Sequence, residues 1–190
     1  MTAPTLPSLL QGFFTERLVR QLQASPQTIT AYRDTIKLLL LFAGQRTKKA
    51  PARLTIDDLD AVMVGAFLDH LDTERGHSTA TRNARLAAIH SLYRYALPLI
   101  PERAHTASQV LAIPQRRHDR AIVSYLTGPE TDALLAAPDR TTWHGRRDHA
   151  LLLTAVQTGL RLSELTGLTI QDIITTSPGA AVHTTGKGRR

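Results

Sequence analysis

Between residues 25 and 98 three segments, with no internal repeat among them, each run from a hydroxyl residue through apolar residues at helical spacing to a glycine or proline. Ser25-Pro26 supplies a capping hydroxyl followed by proline at the first helical position, where a missing N–H costs nothing. Ile29, Tyr32, Ile36, Leu39, Leu40 and Ala43 then keep a helical period up to Gly44. Thr55 opens the second segment, with Asp57 and Asp58 suited to the positive end of a helix dipole. Leu59, Val62, Met63, Ala66, Phe67 and Leu71 form its apolar face, and Gly76 closes it. Ser78 opens the third, with Leu86, Ile89, Leu92, Tyr93 and Ala96 on one face before Pro98. Such a chain folds as packed helices. An earlier helix is expected over Leu9–Leu22 and a short one over Arg103–Leu111, giving an all-α first domain over residues 1–112.

Residues 113–126 read as a linker, with Pro114 and a charged run from Arg116 to Arg120. A second domain is expected over 127–190. Thr127 and Glu130 form a capping box with Pro129 in the first turn, opening a helix to Ala136. "GRRDHALLLTAVQTG" predicts a second helix, with Gly159 as the left-handed residue after its end. A third begins near Arg161 and stops at Gly167. After Asp172, β-branched residues on either side of Ser-Pro-Gly predict a hairpin.

Cysteine is absent, so disulfides and thiolate zinc sites are excluded. His144 and His149, five apart, do not share a helical face, so no metal is expected, and no cofactor. "GKGRR" lacks the spacing of a nucleotide-phosphate loop. The longest apolar runs are too short for a membrane span, and "MTAPTLPSLLQGFF" has no basic start or cleavage site, so a cytoplasmic protein is expected. The net charge of +7 favours an anionic partner, nucleic acid first. The surplus is uneven: residues 1–120 hold 16 Lys/Arg against 10 Asp/Glu, and residues 121–190 hold 7 against 6.

In "TGLRLSELTGL" (residues 158–168), Arg161 stands at a helix start, where the dipole opposes a cation. Either it holds an anion there or it pairs with a carboxylate such as Glu164.

"LLLTAVQTGLRLSELTGL", followed by "DI" and "HTTGKGRR", resembles the opening half of the catalytic domain of tyrosine recombinases, the phage-integrase and Xer-like family. "SPQTITAYRDTIKLLLLFA" and "HSTATRNARLAAIHSLYRYA" resemble that family's SAM-like core-binding domain, whose helices lie against DNA. The resemblance implies a mainly α chain: a helical core-binding domain, then the first helices and a β-hairpin of the catalytic domain. It implies DNA strand breaking and rejoining through a phosphotyrosine, at an inverted-repeat site in double-stranded DNA, with other recombinase subunits as partners and no membrane. Arg161 then matches the arginine that grips the scissile phosphate, a task suited to a permanently charged, two-pronged guanidinium. Lys187 matches the hairpin lysine that protonates the leaving 5′-hydroxyl, and Glu164 an acidic position that orients the arginine.

The family pattern continues with His-x-x-Arg and a late tyrosine, but Tyr32, Tyr93, Tyr95 and Tyr125 all precede Arg161 and no His-x-x-Arg follows it. The expectation is a chain truncated within the catalytic domain, limited to DNA binding, with apolar surface uncovered; the alternative is a non-catalytic helical module that occupies recombinase sites or binds protein. Arg82 and Arg85 share a face of one helix, with Thr81 and Asn83 as polar companions; Arg33 and Lys37 share a face of another, with Thr28 in its first turn. These are the candidate DNA contacts.

Overall fold

The structure, a computed structural model, describes residues 4–117, 124–176 and 179–184, except the side chain of Thr176. The chain is mainly helical and divides into two compact units, residues 1–120 and 121–190.

The first unit begins with α1 (Leu6–Gly12), capped by the Thr5 hydroxyl, which accepts from the Ser8 N–H at 3.4 Å. It continues as a wider π-helical stretch over Phe13–Gln21. Phe13 and Leu18, five residues apart, are both fully buried in one cluster with Ile36 and Leu92; a wider turn brings i and i+5 onto one face. The helix expected over Leu9–Leu22 is therefore present, starting earlier and changing its winding.

α2 (Pro26–Thr47) and α4 (Thr79–Ala96) start alike. Ser25 accepts from the Thr28 N–H at 3.2 Å, and Ser78 from the Thr81 N–H at 3.2 Å. Thr55 and Asp58 form a reciprocal box, but on a 3₁₀ turn (Ile56–Leu59); Asp60 caps α3 (Ala61–Thr73) itself. α5 (Ala104–Leu111) closes the bundle. α4 packs against α2, α3 and α5, and nine of its side chains are buried. Tyr93 is fully buried and its hydroxyl donates to the Leu59 carbonyl, which ties α4 to the 3₁₀ turn; burial pushes the phenol's pKa up.

The second unit holds α6 (Gly128–Ala136), α7 (Trp143–Thr158), the single turn α8 (Leu162–Thr166) and a hairpin, β1 (Ile173–Thr176) with β2 (Gly179–Val182). The strands pair antiparallel, Ile173 opposite Val182 and Ile174 opposite Ala181. The Thr127–Glu130 box is present. Gly145 is required by proximity: a Cβ there would lie 1.8 Å from the Asp139 carbonyl oxygen. Gly159, at φ +65°, turns the chain out of α7. Leu165 is the one buried hydrophobic side chain among the described residues of this unit, while Trp143, Leu151, Val156, Leu162 and Ile170 are exposed.

Tyr93→Phe removes the donor to a buried carbonyl without changing core volume. Urea unfolding of the variant should show a loss of about 1–2 kcal/mol, with the native circular dichroism retained. An unchanged midpoint would show that the bond contributes nothing.

Candidate nucleic-acid interface and phosphate-binding arginine

Thr28 and Thr81 occupy equivalent places, and their hydroxyls lie 3.0 Å from the capping oxygens of Ser25 and Ser78. Both are half-buried at the first turns of long helices. Arg33 and Lys37 stand on the exposed stripe of α2, one turn apart, and make no hydrogen bond or ion pair among the described residues. They are free cations, suited to phosphate oxygens in a backbone-positioning role.

On α4 the expected pairing of Arg82 with Arg85 does not hold. Arg82 is buried, its side chain 7% exposed, and its Nε lies 3.3 Å from Asp72 Oδ2. That N–H is not aimed along the line, and Nη1 also lacks a partner. Because α4 is packed on three sides, three residues of rotation separate an inward guanidinium from an outward one. Asn83 is buried as well, and its amide is committed to the main chain of Arg116.

Arg85 has the other environment. It borders a cleft between α2 and α4 lined by Ala31, Tyr32, Asp34, Thr35, Thr81 and Ala84. Its Nη1 reaches Thr35 Oγ1 at 3.4 Å, and its Nε is buried without a partner. Burial, and then the charge of Arg75, lower its pKa. His77 stands in the same neighbourhood: burial, followed by Arg85 and Arg75, lowers its pKa, against a smaller opposing effect of Asp72. Arg75, His77 and Arg85 thus gather at the start of α4, where the helix dipole adds positive potential. Arg75 and His77 were not among the expected contacts. The signal was in "RGHS", basic residues immediately before a capping serine.

Arg161 directly precedes α8. Its N–H donates to Glu164 Oε2 at 2.8 Å and its Nη1 to Glu164 Oε1 at 2.9 Å. Of the two alternatives for this arginine, the carboxylate pairing is the one formed, and its side chain stays 70% exposed. Glu164, only 13% exposed, holds the arginine from beneath. α8 is a single turn, so its dipole is slight, and any anion affinity here comes from the guanidinium. The Arg161 N–H bond, then the side-chain bond, hold Glu164 below the usual glutamate range. Lys187 lies outside the described residues. His149 Nδ1 is 2.8 Å from the Leu135 carbonyl oxygen, a link between α7 and α6. Among the described residues no group of three potential ligands could hold a metal ion, and no helix is long and apolar enough to cross a membrane.

Residues 12–98 match the phage integrase N-terminal SAM-like domain. Over 186 residues the chain is 54% identical to a protein named integrase/recombinase y4rC from Sinorhizobium fredii, covering 98% of this chain and 56% of that one. A second such protein from the same organism, y4rD, is 42% identical over 185 residues, with 97% of this chain and 66% of that one covered. The tyrosine recombinase XerC of Pelobacter propionicus is 33% identical over 165 residues, 86% of this chain and 51% of the relative. The chain thus spans about half to two thirds of the length of these relatives.

Because its folded pKa is lowered, Glu164 contributes stability that is present above the pKa of a free glutamate. That stability is lost as pH falls through the lower, folded value. A carboxyl-detected NMR titration should place its midpoint below that of a glutamate in an unstructured peptide, and Arg161→Ala should move it upward. A midpoint at the peptide value would mean that the Arg161–Glu164 clamp is not formed in solution.

Proposed function

Since the chain belongs to the phage-integrase and Xer-like tyrosine recombinase family, we propose that it is the DNA-gripping portion, with the opening of the catalytic unit, of a site-specific DNA recombinase. The observation that carries this reading is the unneutralised cationic face of the first unit: Arg33 and Lys37 on α2, with Arg75 and Arg85 at the start of α4 beside His77, whose charged form burial and these arginines disfavour. Nothing within the described fold neutralises Arg33 or Lys37, and the two arginines near the start of α4 disfavour each other's charge until an anion arrives. Double-stranded DNA supplies a row of such anions. Thr28 and Thr81, at the first turns of α2 and α4, stand where a backbone or base edge can be met.

In the second unit Arg161 grips one phosphate through two N–H groups, and Glu164 orients it. Arg161 Nη1 is shared with Glu164 Oε1, and Nη2 makes no hydrogen bond among the described residues. Lys187, in the role the family resemblance gives it, donates a proton to the departing 5′-oxygen. In the whole protein a tyrosine oxygen attacks the phosphorus, the P–O5′ bond breaks, and the protein is left joined to the 3′ end as a phosphotyrosine. Recombinase subunits on an inverted-repeat site, in the cytoplasm, complete the reading.

Two measurements test it. In fluorescence titrations with duplex DNA, log K should fall with log salt at a slope of about −4 to −5, corresponding to roughly five phosphates. Arg33→Ala with Lys37→Ala should flatten the slope by about 2, and Arg85→Ala by about 1. Arg82→Ala should leave the slope alone and lower the unfolding midpoint, since its guanidinium faces Asp72 rather than solvent. A salt-independent affinity would sink the proposal. With a nicked suicide duplex, the 190 residues by themselves should bind and give no denaturant-resistant adduct, since Tyr125 is their last tyrosine. An adduct lost in Tyr125→Phe would overturn the assignment of roles.

A further inference from the structure

Past the end of α5 the chain does not leave the bundle at once. Ile113 packs against the hydrophobic core, and its N–H bonds the Val110 carbonyl at 3.2 Å. Three residues on, Arg116 is held in two ways. Asn83 Nδ2 donates to the Arg116 carbonyl at 2.7 Å, and the Arg116 N–H donates to Asn83 Oδ1 at 3.0 Å. One buried amide side chain therefore takes both main-chain groups of one residue, as a neighbouring strand would. The Arg116 guanidinium meanwhile reaches Asp69 Oδ1 at 3.0 Å through Nη2 and Asp72 through Nη1. Asp72 also faces the buried Arg82, so one carboxylate lies between two arginines.

We propose that Asn83, with Asp69 and Asp72, is a clasp that fixes residues 113–116 to the bundle. The amide pair does the positioning. Surface ion pairs alone hold little, since Asp69 and Arg116 are each half-exposed or more. The buried amide is different: if the segment lifts, Asn83 loses both partners at once and keeps poor access to water. Only asparagine fits the exchange. Aspartate has the same shape but offers an oxygen where the Arg116 carbonyl needs a donor. Arg116 is thereby a structural cation, unlike Arg33 and Lys37, although it opens the basic run of the segment.

The test is hydrogen exchange and trypsin cleavage on the full 190-residue chain. In the wild type the Arg116 amide should exchange on the order of a hundredfold more slowly than an open-chain amide, and cleavage after Arg116 should be slow. Asn83→Asp should lose most of that protection and speed the cleavage on the order of tenfold, with the amides of Leu86–Tyr93 unchanged. Asn83→Ala should be milder than Asn83→Asp, because it removes a partner without adding a repulsion. A merely space-filling role would give the reverse order. Arg116→Ala should speed cleavage after Arg117 and leave the salt dependence of DNA binding unchanged. Open-chain exchange at Arg116 in the wild type overturns the proposal, as does alanine harsher than aspartate. Should Asn83→Asp unfold the bundle, Asp69→Asn removes one ion pair and leaves the amide pair in place; cleavage after Arg116 should then stay slow, and cleavage sped on the order of tenfold in that variant overturns the proposal. None of these readouts depends on whether DNA binds.

Discussion

The burial of α4 on three sides decides what each of its polar residues can do. Nine inward positions leave few outward ones, and each arginine or asparagine is sorted by its angle around the helix. Tyr93 spends its hydroxyl on Leu59, His90 places its Nε2 3.0 Å from the Val110 carbonyl oxygen, and Asn83 takes the main chain of Arg116. These three polar contacts bind the 3₁₀ turn, the end of α5 and the connecting segment to one helix. Arg85 alone of the α4 cations between Thr79 and Ala88 reaches a surface cleft. In the proposed reading, the cations that the packing leaves outside are the ones available to DNA.

Charge follows the same sorting. Arg82, Arg103, Arg116 and Lys49 are spent on Asp72, Asp57, Asp69 and Asp58 within the first unit. Arg33, Lys37 and Arg75 are not. A net charge of +7 therefore understates how local the positive potential is, because the paired cations contribute little beyond a few ångströms. The same logic separates the two arginines that matter most by resemblance and by geometry. Arg161 keeps its side chain in solvent while Glu164 holds it; Arg82 is turned in and lost to the surface.

The helices were legible because their boundaries are chemical. Ser25, Ser78, Thr127 and Gly159 mark their ends by capping and by positive φ, and each does so in the structure. Three features were not legible. The π-helical winding of Phe13–Gln21 follows from tertiary burial of Phe13 and Leu18 together, which no local period announces. The separate fates of Arg82 and Arg85 depend on how far α3 and α2 flank α4, so a shared face on a helical wheel was a poor guide. Nor does the sequence announce that Asn83 holds the main chain of Arg116, 33 residues later. Arg161 and Glu164 were legible from the motif and from their three-residue spacing, and the bidentate contact between them is the geometry that such a spacing allows.

The central claim is that duplex DNA lies across the starts and outer faces of α2 and α4. Amide chemical-shift mapping on the labelled chain tests it most directly. Adding a duplex should move the signals of Thr28–Lys37 and of Arg75–Arg85, with small changes in α1 and α5 and none at the Arg116 amide beyond its neighbours. Shifts concentrated on Leu6–Gln21 or Ala104–Leu111, with the α2 and α4 starts silent, would contradict the account.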